Sequence, residues 1–273
     1  MWLHSAYWLN LHHVLYAVAW AGRGAAPRPG AEPLPAPVEL PRSAVAWYDL
    51  HVADRDLLFD DGMEELHWHL AEGDLASIPP EHREVLEAAA STYDTDWPEH
   101  DAANRAWAVH AASQLDSLAE EVLPALSAWF TEAWPGSDSL VRVDVVWVCN
   151  AQGAYTNLHP THVTASSSNP RHQGNSGVEI LCHEVAHALI APIARRLRSA
   201  QDGLWHAVLF HLVGEAVRRA YAHRGTTYEP YLYRTGLIDR AWPQYRNLLT
   251  TTWTAYANGD ISLDDAVAAS VRA

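Results

Sequence analysis

A chain of 273 residues, of which 49% are hydrophobic and 10% aromatic, is large enough to bury a complete core. This composition excludes collagen-like, coiled-coil and low-complexity proteins. The net charge is −15, from 18 lysines and arginines against 33 acidic residues, and basic residues cluster only as Arg195-Arg196 and Arg218-Arg219. Because a surface that follows phosphates needs a basic face, we expect no nucleic-acid partner.

The first residues predict a helix of the folded protein. Apolar residues recur at helical spacing across residues 6–20, among them Trp8, Leu11 and Leu15. The segment lacks the basic start of a signal peptide, and its histidines make it too polar to span a bilayer. We therefore expect no integral membrane segment. The compartment stays open between the cytoplasm, which is slightly favoured, and export.

The rest of the first half indicates a strap followed by helices. Residues 22–42 are rich in proline and glycine and show no periodicity, which is typical of a loop. From residue 43 to residue 134 the patterns are helical throughout. The last stretch, residues 98–134, is interpreted as two helices that meet near Ser117 or Pro124.

The second half introduces strands. Residues 141–149 alternate and are β-branched, and residues 161–166 show a second, shorter strand pattern. A helix is predicted from about residue 176 to residue 198; it is apolar on nearly all sides and must therefore be central. Another helix, with one apolar stripe, is predicted over residues 204–221.

Together these elements predict an α+β, mostly helical fold. A helical region is expected over residues 1–136, and a second region with a small sheet over residues 137–273; the two can also form one continuous domain. No disulfide framework contributes, since Cys149 and Cys182 both lie in apolar runs and are expected to be buried free thiols.

One motif carries chemistry: His183-Glu184-Val185-Ala186-His187, an H-E-x-x-H inside the predicted central helix. Residues four apart lie one turn apart on the same face, so both imidazoles can reach one metal ion. Glu184 projects beside that ion, where it can act as general base towards a bound water. Burying these groups without a metal would be costly, which favours a Zn²⁺ site over a pair of core histidines.

The third ligand has to come from outside the motif. Glu215 is the best candidate, because it is an isolated carboxylate at the edge of the apolar stripe of the next helix. His211, one turn earlier, is the alternative, as a ligand or as a partner of one, and Asp202 ranks last. The other histidine-rich segments, His12-His13 and His67-Trp68-His69, lack a nearby carboxylate pattern and are interpreted as surface or interior histidines.

These features resemble the gluzincin group of zinc metallopeptidases. The resemblance covers about residues 141–233, where a strand, an edge strand, the H-E-x-x-H helix and a helix with a glutamate follow one another. It implies that His183, His187 and Glu215 hold zinc and that Glu184 is the general base. The glutamate lies in Gly-Glu-Ala-Val and not in the Asn-Glu-x-x-x-Asp form of that group, which leaves the subfamily open.

The resemblance also implies peptide hydrolysis. In this group an edge strand, here residues 161–166, pairs with an extended peptide, and a tyrosine or histidine stabilises the oxyanion. Tyr231, held by Pro230, is the choice for that role, with Tyr233 next. The expected function is therefore that of a zinc-dependent metallohydrolase, foremost a peptidase, with a peptide or protein as substrate.

A non-catalytic protein is the alternative. It would be a helical binding protein with a structural or degenerate zincin-like metal site. A fourth protein ligand, such as His211 or His206, would then replace the catalytic water. The sequence indicates no oligomeric state.

Overall fold

The computed structural model describes residues 1–23, 34–57, 60–134, 141–149, 153–158, 160–197 and 203–272. The fold is α+β and mostly helical, which confirms the predicted class. The helices are α1 (Tyr7–Gly22), α2 (Arg42–His51), α3 (Asp61–Glu72), α4 (Pro80–Tyr93), α5 (Trp97–Phe130), α6 (Ser176–Ala186), α7 (Ala191–Arg196), α8 (Leu204–His223), α9 (Tyr231–Arg234), α10 (Leu237–Ala241), α11 (Arg246–Leu248), α12 (Thr254–Asn258) and α13 (Leu263–Arg272).

The strands form one four-stranded sheet in the order β1-β2-β4-β3, with β1 (Trp2–His4), β2 (Arg142–Val146), β3 (Ala154–Leu158) and β4 (Thr161–Ser166). β2 pairs parallel with β1 and β4, and β3 pairs antiparallel with β4. The strand predicted over residues 161–166 is confirmed. The one predicted over residues 141–149 stops at Val146, because the next backbone N–H, of Trp147, donates to the Asn10 side chain at 2.8 Å.

α5 is a single helix of 34 residues, so the interpretation of residues 98–134 as two helices is wrong. Pro124 lies inside it, where a proline costs about 3 kcal/mol because it removes a backbone hydrogen bond. Apolar side chains that recur every four residues on one face are fully buried: Leu118, Val122, Leu126 and Phe130. Each such burial contributes about 1.5–3 kcal/mol, which together outweighs the cost of the proline.

The helix predicted over residues 176–198 is broken in the structure. α6 ends at Ala186, His187 follows it in helical conformation, and α7 begins at Ala191. Pro192 explains the break, because it has no N–H to continue the hydrogen-bond ladder and its ring clashes with the carbonyl four residues earlier. The H-E-x-x-H motif therefore occupies the C-terminal end of a short helix.

Residue contacts divide the chain into two units. The first unit contains residues 1–110 and 141–173, and the second contains residues 111–140 and 174–273, with the division inside α5. The sheet thus belongs with the N-terminal helices α1 to α4. The predicted region that begins at residue 137 includes both the sheet and the H-E-x-x-H helix.

In the first unit, α1 is the central helix. It packs against α2, α3, α4 and β2, and ten of its 16 residues are buried, including Asn10, His12 and His13. Asn10 shows how such polar groups are accommodated: its amide donates to the Val145 carbonyl and accepts from Trp147 N–H. Among the described residues, no helix is both long and apolar enough to cross a membrane.

Candidate metal centre

His183 and His187 lie one turn apart at the end of α6. Their rings meet edge to face, with centroids 4.9 Å apart and planes at 88°. Every residue of α6 is buried, so the pair is carried by a helix that is packed on all sides. The spacing of the motif therefore brings the two imidazoles together as predicted.

A third imidazole, that of His206 in the first turn of α8, joins this pair. The Nε2 atoms of His183 and His206 lie 3.2 Å apart, and the ring centroids of His187 and His206 lie 5.1 Å apart. One ligand nitrogen from each of the three residues lies within 4.8 Å of the others. Three converging imidazole nitrogens are a ligand set for zinc and for other first-row transition metals.

Gly203 fixes the start of α8 and with it the position of His206. Gly203 has a φ of +81°, and a Cβ atom there would lie 2.6 Å from Nε1 of Trp242. Only glycine combines this backbone conformation with so close an approach. The Gly203 carbonyl accepts the His206 N–H at 3.1 Å, and the Trp242 ring contacts the His206 ring at 5.4 Å between centroids.

The environment keeps two imidazoles of the cluster neutral. Burial lowers the pKa of His206 to about 4. Burial and the neighbouring His206 lower the pKa of His187 to about 3. A neutral imidazole offers the lone pair that a metal requires, whereas an imidazolium does not. His187 and His206 are therefore in the protonation state for metal binding at neutral pH.

Aromatic rings hold the three imidazoles in place. Phe210, one turn after His206 on α8, stacks on His183 with centroids 3.7 Å apart and planes at 22°. Trp205 stacks on His206 with centroids 5.0 Å apart and planes at 19°, and its indole is 36% exposed. The cluster thus has an apolar wall on one side and a solvent-exposed tryptophan on another.

Glu184 follows the first histidine of the motif and is 5% exposed. A helix turns by about 100° per residue, so this side chain leaves α6 beside His183 and not above it. The Glu184 carbonyl accepts the His187 N–H at 3.2 Å, which closes the end of the helix. A buried carboxyl group adjacent in sequence to a possible metal ligand is suited to accept a proton.

Glu215, the predicted third ligand, lies elsewhere on α8. Its carboxylate forms ion pairs with Arg218 at 2.8 Å and with Arg219 at 3.5 Å. Nine residues separate it from His206, which places the two on opposite faces of the helix, about 13 Å apart along its axis. An isolated carboxylate does imply a cation, but here the cations beside it are guanidinium groups.

His211, the alternative ligand, also lies outside the three-histidine cluster. Its Nδ1 pairs with the Tyr233 hydroxyl at 2.8 Å, and its Nε2 pairs with the Thr254 hydroxyl at 3.2 Å. Both ring nitrogens are therefore engaged in hydrogen bonds. Asp202 lies outside the described residues.

Tyr231, the predicted oxyanion residue, lies beside the aromatic wall. Its ring is nearly parallel to that of Phe210, with centroids 6.0 Å apart and planes at 13°, and Phe210 in turn stacks on His183. Its backbone N–H donates to both carboxylate oxygens of Glu179, at 3.0 and 2.9 Å. These contacts place Tyr231 near the cluster, and the role of its hydroxyl stays a prediction.

Glu179 is a buried carboxylate that the sequence analysis missed. It lies one turn before His183, is 1% exposed, and also accepts the Tyr228 hydroxyl at 2.5 Å. Burial raises its pKa to about 7. Gly214 on α8 makes room for it, since a Cβ there would lie 3.0 Å from Oε1 of Glu179 and 2.6 Å from Pro230. Glu179 thus ties the segment that carries Tyr231 to α6.

No protein family, no curated protein and no solved structure matches this chain. The three-histidine cluster, which can hold a metal ion, is what the structure adds to the motif. The gluzincin resemblance therefore stays a prediction that rests on the H-E-x-x-H sequence and the strands and helices around it.

His206 is the site residue that the sequence did not point to as third ligand. It was named only as a fourth ligand of a closed site. A usable signal does exist, because His206 lies in the first turn of the predicted helix that comes after the helix with the motif. What the sequence lacks is the angle at which that helix returns to α6.

Proposed function

We propose that this protein is a zinc-dependent hydrolase that cleaves peptide bonds. The observation that carries the proposal is the convergence of His183, His187 and His206, with two of the three on an H-E-x-x-H helix. The ligand set differs from that of the gluzincins, in which a glutamate takes the third position. We therefore assign His206 and not Glu215 as the third ligand.

The number of ligands favours catalysis over a purely structural role. A structural zinc site commonly has four protein ligands, whereas a catalytic one has three and keeps a position for water. In the part of the chain that the structure describes, the group contains three residues and no fourth histidine, cysteine or acidic side chain. A set of three protein ligands supports the hydrolase over the closed site of the alternative.

Bound zinc would lower the pKa of a water molecule to about 7 and polarise the scissile carbonyl. The carboxylate of Glu184 would accept the proton of the attacking water and return it to the leaving amine nitrogen. Its burial strengthens this action, because charges interact more strongly where water is excluded. Tyr231 stays the candidate for contact with the oxyanion, since its ring adjoins the wall on which His183 stacks.

Elemental analysis of the purified protein tests the metal site. We expect about one zinc per chain in the wild type, and its loss in His187→Ala and His206→Ala. Glu215→Gln is the matched control on α8, because it alters a buried polar group 9 residues from His206 that is paired with arginines. Zinc lost in Glu215→Gln but retained in His206→Ala would overturn our ligand assignment.

Glu184→Gln separates the chemistry from the metal. The amide has the size of the carboxylate but cannot accept the proton, so we expect full zinc content and loss of at least about 100-fold in peptide hydrolysis. A peptide library read by mass spectrometry provides the substrates. If the zinc-loaded wild type cleaves none of them, the non-catalytic metal-binding protein becomes the better description.

A further inference from the structure

A chain of buried hydrogen bonds crosses the first unit and is separate from the candidate metal centre. It consists of four imidazoles and two phenol hydroxyls, which we call the His-Tyr relay and give in the order of their contacts: His82, Tyr48, His12, His67, Tyr155 and His13. Its members come from α1, α2, α3, α4 and β3. Each is at most 4% exposed, and the relay therefore connects four helices and the sheet inside the core.

Each link has hydrogen-bonding distance. The Tyr48 hydroxyl lies 2.9 Å from Nε2 of His82 and 3.0 Å from Nδ1 of His12. Nε2 of His12 faces Nε2 of His67 at 3.1 Å. The Tyr155 hydroxyl then lies 3.0 Å from Nδ1 of His67 and 3.1 Å from Nε2 of His13. The path from His82 to His13 has no gap.

The groups of the relay are neutral. Burial holds the pKa values of His12 and His67 well below the ordinary value, and lowers those of His13 and His82 to about 3 and about 4. Burial also raises the pKa of the Tyr48 hydroxyl well above its ordinary value. A neutral imidazole has one N–H and one bare nitrogen, so each histidine donates on one side and accepts on the other.

This constraint allows only two arrangements of the protons in the whole relay, which we call its two directions. If His12 donates to His67, then His12 and His82 carry their protons on Nε2, and His67 and His13 carry theirs on Nδ1. If His67 donates to His12, all four tautomers are reversed. An intermediate pattern would set two N–H groups or two bare nitrogens against each other between His12 and His67, or would leave a hydroxyl proton or a bare nitrogen without a partner in the relay at Tyr48 or Tyr155. Either is unfavourable in a buried site.

We propose that the His-Tyr relay is a coupled switch, in which all six groups point their protons in one direction or all in the other. A change at one end then sets the tautomer of every histidine in the relay. Reversal moves the proton of each imidazole from one ring nitrogen to the other and turns each tyrosine hydroxyl to its other partner. Each group keeps one proton in both directions, so no charge is left in the core.

Imidazole ¹⁵N spectra of Tyr48→Phe and Tyr155→Phe test this coupling, because they report which nitrogen carries each proton. Without the Tyr155 hydroxyl, Nδ1 of His67 has no partner in the relay. A bare nitrogen tolerates this better than an N–H, so the proton moves to Nε2 and His67 donates. Without the Tyr48 hydroxyl the same argument makes His12 donate.

The two variants are therefore expected to show opposite tautomers at both His12 and His67. The wild type should match one of the variants and differ from the other. In Tyr155→Phe the tautomer of His82 should follow that of His12, and in Tyr48→Phe the tautomer of His13 should follow that of His67. Tyr93→Phe is the matched control, since this buried tyrosine pairs with His100 outside the relay at 3.0 Å. It should leave all four tautomers unchanged.

The proposal would be overturned if His12 and His67 had the same tautomers in Tyr48→Phe as in Tyr155→Phe. So would two bare Nε2 atoms in the wild type, because that pattern indicates a metal bound between these histidines. If one variant does not fold, the wild type still decides, since the proposal requires its four tautomers to form one of the two complete sets. Amide spectra establish folding before the imidazoles are compared.

Discussion

Each of the two units contains a cluster of histidines, and the neighbours of the rings give these clusters different chemistry. In the second unit, His183, His187 and His206 converge, and carbon-rich rings such as Phe210 pack on their faces. In the first unit, tyrosine hydroxyls form hydrogen bonds with the histidine ring nitrogens. Converging nitrogens suit a cation, whereas nitrogens alternating with hydroxyls suit a proton.

The comparison teaches that burial alone does not select a function for histidine. Burial lowers the pKa in both clusters, to about 3 for His187 and for His13. What differs is whether the nitrogens face one point or form a line.

Removal of His206 should abolish the metal function of the second unit without changing the first. His206→Ala leaves two imidazoles, and we expect zinc affinity to fall by more than the roughly 10–100-fold that loss of a mere supporting contact causes. Competition with a zinc-binding dye measures this. The counterpart is His67→Ala, which removes a relay histidine and should leave zinc affinity unchanged; a comparable loss in that variant would contradict the separation of the two clusters.

Glu179 should make the stability of the protein depend on pH. The carboxyl group has a pKa of about 7 in the folded state against 4.5 ordinarily, so between these values the folded protein holds a proton that the unfolded chain has released. Stability therefore falls as pH rises from about 4.5 to 7, by on the order of 3 kcal/mol. Urea denaturation across this range should show the loss in the wild type and not in Glu179→Gln.

An exposed glutamate provides the control for this pH effect. Glu81 in the first turn of α4 is exposed, and Glu81→Gln should keep the pH dependence of the wild type. Equal pH profiles for the wild type and Glu179→Gln would show that the buried carboxyl group does not hold its proton. The carboxyl group of Glu179 would then accept its hydrogen bonds from the Tyr231 segment as a permanently charged group.

The relay should respond to loss of a hydroxyl more strongly than an ordinary buried tyrosine does. Tyr155→Phe removes the partner of two imidazole nitrogens, and each buried polar group left unsatisfied costs about 1–3 kcal/mol. Tyr93→Phe removes the hydroxyl that pairs with His100 and should cost about 1 kcal/mol. Chemical denaturation compares the two, and an equal loss would argue that the relay is not energetically coupled.

The sequence predicted those parts of the molecule that depend on local pattern. The helix over residues 6–20 and the strand over residues 161–166 follow from periodicity, and the pairing of His183 with His187 follows from the helical repeat. These features can be predicted without knowing which distant residues contact them. The end of α6 was not predicted, because the apolar pattern continues past Pro192, the residue that breaks the helix.

The parts it did not predict depend on contacts between distant segments. β1 has three residues, too few for an alternation to be visible, and it exists because β2 pairs with it. The relay needs Tyr155 to meet His67, which is 88 positions away in the chain. The ion pairs of Glu215, the predicted ligand, with the arginines three and four residues later were likewise not predicted.

Gly203 offers the finest test of how the metal centre is positioned. Gly203→Ala meets both a positive φ and the indole of Trp242, so we expect a loss of about 1–3 kcal/mol in stability and about 10-fold in zinc affinity as the first turn of α8 shifts. Gly225→Ala is matched to it, because Gly225 follows the same helix with a φ of +71° but has nothing within 4 Å of its Cβ position. It should share the backbone strain and keep its zinc affinity. If both variants bind zinc like the wild type, the contact with Trp242 does not position His206, and the aromatic wall alone holds the third imidazole in place.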